Sequence, residues 1–233
     1  RASPEEVAAC RETHMIGPDQ PVVLCLPGSR RGEVKRLLPR FQETLMRLRD
    51  REPDLRIIIP TVRGVAPLVR RLSARWPAAP LVVEHPADKR AAFAAATVAL
   101  AASGTVSLEL AANRVPMVIG YDMNLLSRWI LRRMVRVDTV TLVNLVSETR
   151  VIPEFLGAEC RPSRMVAVLS RLLEDEAARA DQIAAMDRTM DRLGRSGEAP
   201  GIRAARSVLS VIARGGGAEA AGDKSQRGAL PRD

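Results

Sequence analysis

An alternation of short apolar runs with longer segments of helical spacing limits this chain to few folds. Five apolar runs are each followed by a segment whose spacing of apolar residues is typical of a helix. The runs are 22–26, 55–59, 81–84, 98–102 and 117–121, and the segments after them are 32–51, 65–75, 86–95, 105–112 and 124–135. Buried strands separated by helices are typical of a parallel sheet covered on both faces. The sequence therefore predicts an α/β fold with a doubly wound, Rossmann-like parallel sheet.

The predicted sheet domain occupies residues 20–160, with other segments on either side of it. Residues 1–19 are predicted to form a lead-in helix and a linker. Residues 161–213 have only helical patterns, so C-terminal helices are expected there. Residues 214–233 are rich in Gly, Ala and polar side chains, which predicts a disordered tail.

The local pattern changes at two points within the sheet domain. Pro39 lies inside the helical segment 32–51. Because proline lacks a backbone donor, we expect it to start a second helical piece. Residues 140–143 are expected to be extended. Because the chain starts at Arg1 rather than Met, we interpret it as the C-terminal part of a longer product.

The charge of the chain favours anionic partners. Its 36 Lys and Arg residues outnumber 27 Asp and Glu residues, for a formal net charge of +9, and a basic surface attracts phosphates, acidic lipids or nucleic acid. Nearly all of these basic residues are Arg, a bias that a GC-rich genome would also produce. The three cysteines, Cys10, Cys25 and Cys160, include no C-x-x-C pair, which argues against a disulfide framework or a zinc site and favours a reducing cytosol.

A tight turn joins the first apolar run to its helix. Within the segment LPGSRRGEV at 26–34, Gly28 allows a sharp backbone turn and Ser29 is expected to cap the helix. The free N–H groups at a helix start bind anions, and the guanidinium of Arg30 suits phosphate oxygens. The alternative is an ordinary strand-to-helix turn with a surface arginine.

A second turn of the same kind follows the fourth apolar run. Ser103, Gly104 and Thr105 offer hydroxyl and N–H groups to a diphosphate. Glu109 lies one helical turn after Thr105, on the same side, where its carboxylate can accept hydrogen bonds from both hydroxyls of a ribose. The alternative is a helix cap with one surface Glu. Because the carboxyl ends of parallel strands share one edge, the two turns together predict a nucleotide site.

Four segments, taken in order, resemble the lipid-A-disaccharide synthase family of GT-B glycosyltransferases. They read LPGSRRGEV at 26–34, AASGTVSLELA at 101–111, PMVIGYDMNLLSRWILRRMVRV at 116–137 and TLVNLVSETRVIPEFLGAEC at 141–160. The resemblance covers residues 20–175, and it is the combination of segments that makes it specific.

The resemblance implies both an architecture and an activity. GT-B enzymes have two Rossmann-like halves, and this chain is similar to the C-terminal half, which holds the sugar nucleotide. The family joins UDP-2,3-diacylglucosamine to 2,3-diacylglucosamine 1-phosphate, inverts the anomeric carbon, and releases lipid A disaccharide 1-phosphate and UDP, with no metal or other cofactor. Its general base is expected in the N-terminal half, so the chain alone is expected to bind UDP weakly and transfer nothing.

The same resemblance assigns roles to single residues. Arg30 would stabilise the charge on the departing UDP. The donor-binding residues would be Gly28, Ser29, Arg30, Ser103, Gly104, Thr105, Glu109, Asn144 and Glu154. The chain departs from the family pattern at Gly157, where Gln is usual.

The segment 123–136 combines apolar side chains with positive charge and has no acidic residue. A basic amphipathic helix that carries Trp can lie on an anionic membrane, so we predict that Arg128, Trp129, Arg132 and Arg133 face one. The alternative is a helix packed on the sheet with a solvated arginine face. The family acts on lipids at the cytoplasmic leaflet, which implies a cytoplasmic protein peripheral to the inner membrane, and it admits a homo-oligomer.

Two other functions fit parts of the pattern. Another GT-B enzyme that uses a UDP-N-acetylhexosamine would share the glycine turn and the carboxylate, but it is not expected to carry the LPGSR and VNL segments together. A non-catalytic basic module that binds nucleotides or nucleic acid would explain the net charge. Aromatic residues are only 3% of the chain and no recognised nucleic-acid motif is present, so we expect no nucleic-acid partner.

Overall fold

A computed structural model of the chain describes residues 2–122, 139–195, 197 and 200–222. The chain forms two compact units, Arg1–Met190 and Asp191–Asp233. The first unit contains the sheet and the candidate site. The predicted helix at 124–135 lies outside the described residues.

The apolar runs form strands, and those at 22–26, 55–59, 98–102 and 117–121 are buried almost throughout. The strands are β1 (Val22–Leu26), β2 (Arg56–Pro60), β3 (Leu81–Val83), β4 (Val98–Ala101), β5 (Met117–Tyr121) and β6 (Glu154–Leu156). They lie in the order β3-β2-β1-β4-β5-β6, and every pair of neighbours is parallel. The predicted fold class, a doubly wound parallel sheet, is confirmed.

Helices of the first unit cover both faces of the sheet. They are α1 (Pro4–Thr13), α2 (Arg31–Arg49), α3 (Ala66–Ser73), α4 (Pro86–Ala95), α5 (Val106–Asn113), α6 (Leu142–Ser147), α7 (Pro162–Glu174) and α8 (Glu176–Arg192). Helices α2, α3 and α7 bury one apolar cluster that includes Phe41 and Met165. Helices α4, α5, α6 and α8 bury a second cluster that includes Phe93, Leu110 and Met186. With both faces covered, the carboxyl edge of the sheet is the place where a ligand can enter.

The second unit contains the described helix α9 (Pro200–Gly222). The sequence predicts C-terminal helices up to residue 213 and a disordered tail from 214, on the Gly, Ala and polar composition of that tail. The structure instead continues the helix through Gly222.

The local pattern gave a wrong prediction at Pro39. Helix α2 runs unbroken from Arg31 to Arg49 with Pro39 inside it. Proline removes one hydrogen bond of the helix, but the residues around it, including Leu37, Leu38 and Phe41, are fully buried. Burial of these side chains stabilises the helix by several kcal/mol, at roughly 1.5–3 kcal/mol each, and therefore outweighs the lost bond.

The chain after residue 140 also differs from the prediction. Residues 142–147 form α6 rather than an extended piece, and strand β6 was not predicted. The side chain of Asn144 stabilises this region: it donates to the carbonyl of Ile152 at 2.9 Å and accepts from the Ile152 N–H at 3.0 Å. This hydrogen bond joins an α6 side chain to the backbone before β6. It is a tertiary contact, so the apolar periodicity of the two segments cannot predict it.

The three cysteines are free and buried, as predicted for Cys25. Burial raises the pKa of the Cys160 thiol to about 11, because a desolvated thiolate is unfavourable. These residues therefore act as small apolar side chains in the core.

Candidate functional site

A cavity of about 390 Å³ opens at the carboxyl edge of the sheet, at the ends of β1, β2 and β4. Strands β1 and β4 are neighbours although they are not consecutive, so the cavity lies where the strand order reverses. In doubly wound sheets this switch point is where ligands bind. Three groups of residues line it: the first turn (residues 26–33), the second turn (residues 102–109), and a third wall formed by Pro60, Thr61, Val62, Lys89 and Phe93.

The first turn is held in shape by Gly28 and Glu33. Gly28 has a φ of +104°, a conformation that L side chains rarely adopt. The expected cap, Ser29, is not the residue before α2: Arg30 occupies that position. Its backbone N–H donates to Glu33 Oε2 at 3.4 Å, so the carboxylate of Glu33 takes the capping role.

The guanidinium of Arg30 forms an ion pair with Glu33, with Nη1 and Oε1 3.1 Å apart. The Arg30 side chain is 83% exposed. An ion pair this exposed contributes about 1 kcal/mol at most. A doubly charged ligand at this turn would therefore compete readily with Glu33 for the guanidinium.

The second turn carries a glycine at φ +142°, Gly104, before helix α5. Ser103 Oγ donates to the carbonyl of Val140 at 3.1 Å, and Ser107 Oγ donates to the carbonyl of Gly104 at 2.8 Å. Ser103 can therefore accept from a ligand, but its proton is already used. Within the described part of the chain the Glu109 carboxylate has no hydrogen-bond or ion-pair partner, so it is available to a ligand.

Seven of the nine predicted donor-binding residues line this one cavity. They are Gly28, Ser29, Arg30, Ser103, Gly104, Thr105 and Glu109. The two turns come together because parallel strands deliver their carboxyl ends to one edge. In particular, Arg30 and Glu109 face the same space, as a single nucleotide diphosphate would require.

Asn144 and Glu154 do not line the cavity. Asn144 is buried and both polar atoms of its side chain bond the backbone of Ile152. The Glu154 carboxylate accepts from Thr139 Oγ1 at 2.6 Å and from the Thr141 N–H at 2.7 Å. The contacts seen are structural, and direct contact of either residue with a donor stays a prediction.

These contacts nevertheless connect Glu154 to the second turn. Its carboxylate also accepts from the Val140 N–H at 3.1 Å, and the carbonyl of Val140 accepts from Ser103. Glu154 thus fixes the short segment against which Ser103 is oriented. Gly157, where the family usually has Gln, follows β6 at a φ of +58°.

The third wall was not predicted as part of the site. Thr61 follows β2, whereas Lys89 and Phe93 lie one turn apart on α4. Two elements of the chain contribute to it, and neither carries a motif. The one available signal was that Lys89 and Phe93 are four residues apart and so share a helix face.

Among residues 2–122, 139–195, 197 and 200–222, no three His, Cys, Asp or Glu side chains are grouped so as to hold an ion. The charges around the cavity are those of Arg30, Glu33, Lys89 and Glu109.

Comparison with known proteins identifies the family. A family model described as lipid-A-disaccharide synthetase matches residues 2–205. The chain belongs to the lipid-A-disaccharide synthase family. The enzyme of that name from Ruegeria pomeroyi is 53% identical over 219 residues, which cover 91% of this chain and 54% of that protein. This chain spans about half the length of the curated lipid-A-disaccharide synthases it matches.

Solved structures confirm the fold at much lower identity. The E. coli ADP-heptose LPS heptosyltransferase II has a TM-score of 0.55 at 13% identity, over 76% of this chain and 54% of that one. The S. aureus MnaA–UDP co-structure also has a TM-score of 0.55, at 15% identity, over 81% of this chain and 44% of that one. The sheet domain therefore has the Rossmann-like fold of a GT-B half, as predicted.

The predicted membrane-facing residues, Arg128, Trp129, Arg132 and Arg133, lie outside the described residues. Within the described residues, every helix is too short or too polar to cross a bilayer.

Proposed function

We propose that this chain, a member of the lipid-A-disaccharide synthase family, supplies the donor site of a hexosyltransferase, and that its cavity holds the UDP portion of UDP-2,3-diacylglucosamine. The observation that carries the proposal is the convergence of the two predicted turns on one cavity at the switch point of the sheet. Family membership supports the reaction class. The MnaA structure, whose fold is similar, is described as a complex with UDP.

The diphosphate is placed between the two turns. Gly28 and Gly104 leave backbone there uncovered by a Cβ, and the N-terminus of α2 adds a partial positive charge. Arg30 exchanges its exposed ion pair with Glu33 for the phosphate oxygens. That exchange is favourable because charge-assisted hydrogen bonds from a planar guanidinium to phosphate are stronger than the exposed ion pair between Arg30 and Glu33.

The ribose is placed against Glu109. This carboxylate is exposed, is free of other partners among the described residues, and lies one turn after Thr105 on the wall of the same cavity. An ionised carboxylate is an acceptor only, with lone pairs for both ribose hydroxyls. Phosphates on the backbone turns and the sugar on Glu109 would orient the donor for attack.

In the proposed reaction, the acceptor 2,3-diacylglucosamine 1-phosphate attacks the anomeric carbon through a hydroxyl oxygen. The bond from that carbon to the UDP oxygen breaks, with inversion, and negative charge develops on the diphosphate. Arg30 and the N-terminus of α2 stabilise that charge where it forms. The base that accepts the hydroxyl proton is placed outside the residues of this chain.

We also place the enzyme on the cytoplasmic face of the inner membrane, with Arg128, Trp129, Arg132 and Arg133 toward anionic lipid. The support is the sequence pattern of this segment together with the acyl chains of the proposed substrates. We further propose that the enzyme forms a homo-oligomer, an expectation that comes from the resemblance to its family alone.

Calorimetric titration of the chain with UDP and with 2′-deoxy-UDP tests the assignment of Glu109. Two charge-assisted hydrogen bonds at about 1.5 kcal/mol each correspond to about a 100-fold loss of UDP affinity in Glu109→Ala. The parent chain should bind 2′-deoxy-UDP more weakly than UDP. The Glu109→Ala variant should bind the two nucleotides with the same affinity. Glu176→Ala, at the start of α8 and outside the cavity lining, serves as the matched control.

If the parent chain does not bind UDP, the proposed function is wrong. If UDP binds and Glu109→Ala has the parent affinity for it, only the ribose assignment is lost.

A further inference from the structure

If the proposed function is taken as given, the third wall of the cavity has no part of the nucleotide assigned to it. The first turn faces the diphosphate and Glu109 faces the ribose. A nucleotide has one remaining part, the base, and the cavity has one remaining wall, which contains Thr61, Val62, Lys89 and Phe93. Helices α4 and α5 are neighbours on one face of the sheet, so this wall is adjacent to Glu109, as the bond between base and ribose requires.

Lys89 is the charged group of that wall. It lies in the first turn of α4 and is half-buried. Among the residues that the structure describes, its ammonium has no hydrogen-bond or ion-pair partner, whereas the next residue, Arg90, pairs with Glu6. An ammonium has three donors and no acceptor, so Lys89 can only donate to what the cavity holds.

The rest of the wall suits a flat ring with polar edges. Phe93 and Val62 provide apolar surface, and Phe93 is otherwise buried in the core. Thr61 is 6% exposed, and its hydroxyl has no protein hydrogen-bond partner among the described residues. That oxygen is itself shielded from solvent, so Thr61 contributes surface to the wall and the hydrogen bond to an occupant has to come from Lys89.

We propose that Lys89 determines the base specificity of this site by donating a hydrogen bond to the 4-carbonyl of uracil. Uracil has a carbonyl acceptor at position 4, where cytosine has an amino donor. The Lys89 ammonium, which can only donate, forms a hydrogen bond with the uracil carbonyl but not with the cytosine amino group. The inference rests on the proposed function and adds a specificity-determining residue to it.

The test uses the whole chain and three probes: UDP, CDP and inorganic pyrophosphate. Lys89→Met should lower UDP affinity about tenfold, the loss of one charge-assisted hydrogen bond. Affinity for CDP and for pyrophosphate should change less than about twofold, so that the preference for UDP over CDP largely disappears. Lys35→Met is the matched control: it removes the same charge from an exposed position on α2 that does not line the cavity. Thermal melts of both variants check that each is folded.

Each other result overturns the assignment of Lys89. Equal losses for UDP and CDP would mean that the ammonium does not distinguish the bases. A loss for pyrophosphate as large as that for UDP would make Lys89 a phosphate contact. Unchanged UDP affinity in Lys89→Met would remove it from the site. Failure of the parent chain to bind UDP would overturn the proposed function as well, and that result is separate from the other three.

Discussion

Replacing Gly28 with alanine tests the geometry of the first turn. An ideal Cβ at Gly28 would lie 2.5 Å from Glu33 Oε2 and 2.9 Å from Glu33 Cβ, and the φ of +104° is itself unfavourable for alanine. The backbone strain costs about 1–3 kcal/mol, and the crowding costs about 1–3 kcal/mol. We expect the free energy of unfolding to fall by about 2–6 kcal/mol, and UDP affinity to fall because Glu33 and the capped turn must shift.

At roughly 2–4 °C per kcal/mol for a chain of this size, the Tm should fall by on the order of 10 °C. Urea and thermal unfolding followed by circular dichroism measure the change. Gly32→Ala is the control: an added Cβ there meets no atom within 4 Å, and alanine in a helix is favoured by roughly 0.5 kcal/mol or more.

Combining Gly28→Ala with Glu33→Ala should recover part of the loss, because the carboxylate contact disappears while the Cβ contact stays. The reasoning would be refuted by a Gly28→Ala chain whose stability is within about 0.5 kcal/mol of the parent, the size expected of an ordinary surface change. Equal destabilisation by Gly32→Ala would refute it too.

Two further predictions concern α6 and the segment 123–136. Asn144→Ala leaves the N–H and carbonyl of Ile152 unpaired in the core, which should lower the free energy of unfolding by about 2–4 kcal/mol in urea titrations; a loss under about 1 kcal/mol would contradict the structural role. Gln in place of Arg128, Arg132 and Arg133 should weaken co-sedimentation with anionic vesicles and leave neutral vesicles unaffected. Unchanged binding to anionic vesicles would remove the membrane assignment.

Strands β1, β2, β4 and β5 could be predicted because each is buried on both faces, and an apolar run records that directly. Strand β6 could not. Its residues are only half-buried, and its position is decided by pairing Glu154 with Ile119, a contact between distant parts of the chain. Helix α2 illustrates the opposite case, since Pro39 suggests a break locally while packing against the sheet keeps the helix continuous.

The residues of the site also differ in whether the sequence alone could predict them. Gly28 and Glu109 belong to turns whose residues are close in sequence, and topology alone brings the two turns to one edge. Lys89 and Thr61 could not be predicted to line one cavity because they lie on different elements, which come together only when α4 packs against β1 and β2. The contacts of Glu154 with residues 139–141 are likewise tertiary, so a carboxylate expected at the ligand is found holding the backbone behind Ser103.

The most direct measurement is a crystal structure of the chain with UDP bound. The diphosphate oxygens should lie about 3 Å from backbone nitrogens of both the first and the second turn, with the ribose hydroxyls on Glu109. A nucleotide bound elsewhere, or one in this cavity whose ribose points away from Glu109, would contradict the claim that the two turns form one donor site.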